Sequence, residues 1–112
     1  MKDGPIDPLV CPISYTVSIV SGKWQWVILW LLYNEKVQRY GEVKKRLATI
    51  SHKMLSQQLD SLEFEQLIHR EEYSQIPPKV EYSLTEKGET LIPILKLMEM
   101  WGVQHGLQEH ME

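Results

Sequence analysis

The stretch Ile50–Leu59, "ISHKMLSQQL", decides how this chain is read. Leu55 and Leu59, continued by Leu62, stand at i, i+4 and i+7 and turn toward a core. With about 100° between successive residues of a helix, the opposite side carries Lys53, Ser56, Gln57 and Asp60, with His52 at its margin. Ser51 is a good N-cap, so the helix is expected to start there. Ordinary exposed helix faces scatter Glu and Lys. This one offers small groups that donate and accept hydrogen bonds, and the question is what they touch.

Charge points to an answer. The chain of 112 residues carries a net −3, which by itself speaks against nucleic acid. The distribution differs from the sum. From Lys36 to Lys53 there are six basic residues (Lys36, Arg39, Lys44, Lys45, Arg46, Lys53) and one acid, Glu42. That segment is +5, which leaves −8 for the rest. Clustered charge is most often a solvated face, but its place beside the polar helix favours a functional reading.

The surrounding pattern supplies a small, largely helical domain. After a Pro-rich start, "DGPIDPLVCP", residues 12–21 read as a short helix with Tyr15, Ile19 and Val20 near one side, ended by Gly22. From Lys23 to about Tyr33, apolar residues occupy nearly the whole circumference, so this helix is expected at the buried centre, with Asn34 and Glu35 breaking the pattern. Residues 40–48, "YGEVKKRLA", give a third helix with Val43 and Leu47 inward and its lysines outward. Two strands follow the quoted helix, at 67–74 and 79–84. "IPPK" serves as their loop, because Pro77 and Pro78 cannot donate ladder hydrogen bonds. Val80, Tyr82 and Leu84 should share one face of the second strand. A last helix runs from Glu86 to roughly Gln108, capped by Thr85 or Ser83, with Leu91, Ile94, Leu95, Met98 and Trp101 as its stripe. Pro93 should bend it or mark a later start.

Four helices, two strands and a helix in that order describe a winged helix. The second helix of a helix-turn-helix enters the major groove, which is wide enough for one helix. Ser and Gln can read base edges there, while the basic segment upstream meets phosphates. Winged helices also serve as protein-interaction modules without DNA binding, so the pattern alone leaves both readings open.

Five stretches carry a resemblance: "CP" at 11–12, "SGKW" at 21–24, "ISHKMLSQQLDSLE" at 50–63, "LIHR" at 67–70 and "PPKVEYSLTEKG" at 77–88. Together they resemble the HxlR-type winged helix-turn-helix family of bacterial transcriptional regulators over about residues 11–102. The resemblance implies a mainly α fold with a small β-hairpin, in one domain over residues 1–112. Residues 1–11 would be a flexible arm and residues 85–112 a dimerisation helix. It implies a homodimer built through the first and last helices, bound to a palindromic operator in double-stranded DNA with the fourth helix as reader. The DNA-binding residues would be Ser51, His52, Lys53, Ser56 and Gln57, with Lys44 and Lys45 on the backbone and Pro78 and Lys79 on the wing. Some members sense electrophiles or oxidants through a cysteine near the N-terminus, where this chain has Cys11. Two departures stand out. Asp60 replaces a frequent basic residue, and Phe64-Glu65-Gln66 replaces the usual acidic-Gly turn, so the helix is expected to run longer.

Other residues have plainer expectations. Arg70 is expected to pair with Glu81 across the hairpin, and Trp24 to pack in the core. Met98, Met100 and Trp101 follow helical spacing and suit packing, either core or dimer, rather than a ligand. His105 and His110 make a poor metal pair, and no cofactor motif is present. Cys11 lies between Pro8 and Pro12, in a segment too rich in proline to be core. A thiol-dependent enzyme would need a base and an orienting group beside it, and no such arrangement is legible in the sequence. Cys11 is the only cysteine, so a disulfide would have to join two molecules or cap the thiol with a small one. The longest apolar run, Trp26–Tyr33, is far too short to cross a bilayer, and a cytoplasmic location is expected.

Overall fold

The computed structural model describes residues 4–5, 7 and 9–106. The elements run α1 (Pro12–Val20), α2 (Gln25–Glu35), β1 (Gln38–Arg39), α3 (Tyr40–Arg46), α4 (His52–Phe64), β2 (Ile68–Tyr73), β3 (Lys79–Leu84) and α5 (Glu86–His105). The expected end near Gln108, together with Pro8 and His110, lies outside the described residues.

Pro12 opens α1 at a position where its missing N–H costs nothing. Helix α2 is the centre of the domain, with Ile28, Leu29, Leu31 and Leu32 buried. It starts at Gln25, two residues later than expected, because Trp24 takes the N-cap place. It also runs past Tyr33 to Glu35. Asn34 does not break it, since its side chain donates back to the Trp30 carbonyl at 3.0 Å. Lys36, at φ 72° and ψ −82°, ends the helix in a γ-turn, with the Val37 N–H donating to the Glu35 carbonyl at 3.0 Å.

The next two residues form a strand that periodicity could not reveal. β1 pairs antiparallel with β3, Gln38 opposite Tyr82 and Arg39 opposite Glu81. The sheet order is therefore β1-β3-β2, three strands rather than a bare hairpin. In β3, Tyr82 is buried and Val80 and Leu84 pack on the core from the same face.

Helix α4 ends at Phe64 and does not run longer. Gln66 takes φ 62°, its N–H bonds the Glu63 carbonyl, and the Leu67 N–H bonds the Leu62 carbonyl. This is a Schellman turn with glutamine in the seat usually held by glycine. Its outward carbonyls are taken up by the start of α5. The Thr85 hydroxyl donates to Gln66 at 2.7 Å, the Thr85 N–H to Leu67 at 3.1 Å, and the Lys87 ammonium to Glu65 at 2.8 Å.

Thr85, not Ser83, caps α5 by accepting from the Gly88 N–H at 3.0 Å. The helix starts at Glu86 and continues through Pro93 to His105. Pro93 is exposed, and having no N–H it offers the Glu89 carbonyl no helical hydrogen bond. Gly88 is buried, and a Cβ there would overlap the Leu67 carbonyl. The core is apolar throughout, with no buried polar side chain among the described residues. No described helix is long and apolar enough to cross a membrane.

Candidate nucleic-acid interface

Helices α3 and α4 are joined by residues 47–51, where Leu47 and Ile50 are buried and the Ile50 N–H bonds the Leu47 carbonyl at 3.0 Å. Two apolar anchors in so short a link fix the angle between the helices. The Ser51 hydroxyl accepts from the Met54 N–H at 3.0 Å and caps α4. Glu42 does the corresponding work for α3, accepting from the Arg39 N–H at 2.8 Å.

Leu55, Leu59 and Leu62 are buried, with at most 1% exposure, so the rotation of α4 is fixed. Ser51, His52, Lys53, Ser56, Gln57 and Asp60 are all exposed. The expected reading residues therefore share one open face, and Asp60 lies with them.

Tyr40, which the sequence reading did not single out, holds the first turn of that face. Its hydroxyl lies 3.0 Å from His52 Nδ1, 3.3 Å from the His52 carbonyl and 3.5 Å from Ser56 Oγ. Its ring stacks on the His52 imidazole, with centroids 5.9 Å apart and planes at 9°. Tyr40 is itself half-buried against the core. The available signal was position: an aromatic at the first residue of α3, twelve before His52.

The basic residues divide. Lys45 and Lys53 are exposed and Lys44 is half-buried. Arg46 is engaged by Glu35 at 3.1 Å. On the wing, each cation meets an acid. Lys79 lies 3.5 Å from Glu81 and over the Tyr73 ring at 4.3 Å, His69 is 2.8 Å from Glu71, and Arg70 is 3.1 Å from Glu72. The expected Arg70–Glu81 pair does not form. Arg70 sits opposite Tyr82 and Glu81 opposite Glu71, which places Arg70 and Glu81 on opposite faces of the hairpin. The Tyr82 hydroxyl, with Glu72, raises the Arg70 pKa above its ordinary value. Pro78 is exposed in the connection between the strands.

Cys11 is half-buried at the N-cap of α1. Four residues on, Tyr15 donates to Glu65 at 3.0 Å and accepts from Lys87 at 2.9 Å, both distant along the chain. This contact ties α1 to the end of α4. Trp24 packs on the core, as expected. Among the described residues no three metal-ligating side chains converge.

A short helix pair with an open polar second helix, followed by a β-hairpin to which the preceding β1 adds a third strand, defines a winged helix-turn-helix protein. The HxlR-like helix-turn-helix family pattern matches residues 19–110, and the chain belongs to that family. It is similar to the protein named MalR from Fusobacterium mortiferum, 55% identical over 95 residues covering 85% of this chain and 90% of that one. It is likewise similar to the uncharacterized HTH-type transcriptional regulator BH0655 of Halalkalibacterium halodurans, 49% identical over 84% of this chain and 83% of that one. Among solved structures it resembles the redox regulator HypR. The oxidised form of HypR is 40% identical at a TM-score of 0.77, covering 85% of this chain and 97% of that chain. The reduced form is 39% identical at 0.79, covering 84% and 92%. This chain is thus a DNA-binding transcriptional regulator of the HxlR type, not an enzyme.

Proposed function

We propose that the whole chain acts as one domain that dimerises through α1 and α5 and reads an imperfect palindrome in the cytoplasm. The observation that carries this reading is the open face of α4, where hydrogen-bonding side chains stand outward over a fully buried leucine row. Ser51, His52, Lys53, Ser56 and Gln57 meet base edges and adjacent phosphates in the major groove. Lys44 and Lys45 approach the backbone, and Pro78 and Lys79 approach it from the wing.

Dimerisation is supported by apolar surface that one subunit leaves uncovered. Ile13 and Val17 on α1 and Ile94, Leu97, Met98 and Trp101 on α5 are all exposed. A cleft of about 430 Å³ between α1, α2 and α5, floored by Trp26 and Trp30, continues that surface. Two-fold related α4 helices about 34 Å apart would meet half-sites roughly 10 base pairs apart.

Cys11 supplies the signal input in this reading. Its place at the start of α1 puts it beside the proposed seam, and HypR, a redox regulator, is 40% identical. An oxidant such as diamide takes two electrons and two protons from two Cys11 thiols and joins the subunits by a disulfide. An electrophile alkylates each thiol instead. Either change alters the seam and so the spacing of the two α4 helices.

The test begins by selecting bound fragments from random duplex DNA. Gln57→Ala should then lose about 1–3 kcal/mol of preference for the selected site. A failure to select any duplex would favour a protein-interaction module. A monomer in sedimentation at micromolar concentration, with and without DNA, would refute the dimer. Diamide should weaken operator binding of the wild type and leave Cys11→Ser unaffected. Cys11 modified with no loss of affinity would place the signal elsewhere.

A further inference from the structure

We infer that Tyr40 is a specificity-positioning residue: it touches no base but sets which way His52 and Ser56 face the DNA. This rests on the reading that α4 enters the major groove. The N-terminal part of a recognition helix is where base contacts concentrate, and here two of its side chains, one turn apart, share one phenolic hydroxyl.

The geometry fixes more than distance. Stacking at 9° holds the His52 ring plane, and the contact at Nδ1 selects between the two ring flips. Nδ1 is then turned inward to Tyr40, which leaves Nε2 as the nitrogen that can meet a base edge or phosphate. The hydroxyl has one hydrogen and two acceptors in reach, Nδ1 at 3.0 Å and the His52 carbonyl at 3.3 Å. With the hydroxyl on Nδ1, Nε2 carries the hydrogen and meets an acceptor such as guanine N7 or O6. With the hydroxyl on the carbonyl, Nε2 accepts from a donor such as adenine N6, and in both cases the outward nitrogen is the same. Ser56 Oγ, at 3.5 Å, is drawn to the same point. Without the hydroxyl both side chains gain rotamers that must be given up again on binding. The half-buried Tyr40 ring packs against the core, which restrains the orienting group.

Tyr40→Phe retains the ring and removes only the oxygen. Its preference for the selected site over a duplex altered at the base pair nearest the α4 N-terminus should fall about five- to tenfold, the lower end of what one good base contact supplies. Affinity for random duplex and the salt slope should stay as in the wild type. In a cycle with His52→Ala and Ser56→Ala, the double variants should lose little more than those single changes. Equal loss on every duplex, with a lowered melting temperature, would make Tyr40 a structural residue and overturn the inference. So would an unchanged preference in Tyr40→Phe while His52→Ala or Ser56→Ala relaxes it, an outcome that leaves α4 as the reader. If none of the three variants moves the preference but Gln57→Ala does, His52 and Ser56 take no part in reading and the inference is again overturned. If Gln57→Ala leaves it unmoved as well, the α4 reading falls with it.

Discussion

Replacing Gln66 by glycine should stabilise the protein. Gln66 closes α4 at φ 62°, where a Cβ crowds the backbone. A side-chain-bearing residue there costs roughly 1–2 kcal/mol relative to its right-handed form. Glycine removes that strain but loses about 0.5–1 kcal/mol more conformational freedom on folding. The difference predicts a net gain of about 0.5–1 kcal/mol for Gln66→Gly. The two turn hydrogen bonds, from the Gln66 and Leu67 N–H groups, are main-chain and survive the change. Gln66 is exposed and its carbonyl still receives the Thr85 hydroxyl. Gln66→Ala is the control, since alanine keeps the Cβ and gains nothing. The assay is urea unfolding at several protein concentrations, so that association is separated from folding, with the midpoint rising at unchanged slope. A glycine variant less stable than wild type, or no better than the alanine variant, would refute the strain argument.

Three further outcomes follow from other parts of the fold. Gly88→Ala forces a methyl into the Leu67 carbonyl and should destabilise by about 2–3 kcal/mol, read as a lowered urea midpoint. Lys53→Ala should flatten the log–log salt slope of duplex binding by about 0.9, while Lys79→Ala, whose charge is shared with Glu81, should flatten it less. An equal or larger effect at Lys79 would show that the wing carries the phosphate contact. In an alkaline titration followed by NMR, Tyr33 should ionise below the ordinary phenol range, because Lys96 donates to its hydroxyl, and Lys96→Gln should raise it. Tyr73, hydrogen-bonded to Glu81, should ionise above that range. The signs oppose. The depressed Tyr33 adds stability as pH rises through its folded pKa toward its unfolded value, whereas the raised Tyr73 loses its contribution as pH climbs past its unfolded value through its folded one.

The helices were legible because each buries one face at helical spacing: Leu55, Leu59 and Leu62 alone fixed the rotation of α4 and so its outward residues. What was not legible depends on contacts distant in sequence. β1 has two residues, too few for any period, and exists because β3 offers it a partner. Tyr40 looks like any helix-start aromatic until folding brings His52 and Ser56 to its hydroxyl. The Arg70 pairing was misjudged because hairpin register, set by the loop 74–78, decides which charges share a face. The stop at Phe64 was missed because glutamine rarely accepts a positive φ; here Thr85 and Lys87 bind the carbonyls of the turn and hold it.

Helix α4 is held at both ends, by Tyr40 at its first turn and by Thr85, Lys87 and Tyr15 at its last. On the proposed reading of α4, an element so restrained arrives at DNA already ordered. Little coil-to-helix transition remains to be completed on the duplex, so the heat-capacity change of binding should scale with the apolar surface covered and carry no folding component. The same rigidity means that a wrong sequence cannot be accommodated by bending the reader. On that reading a mismatch would be borne by the DNA, whose local stiffness would become part of what this protein distinguishes.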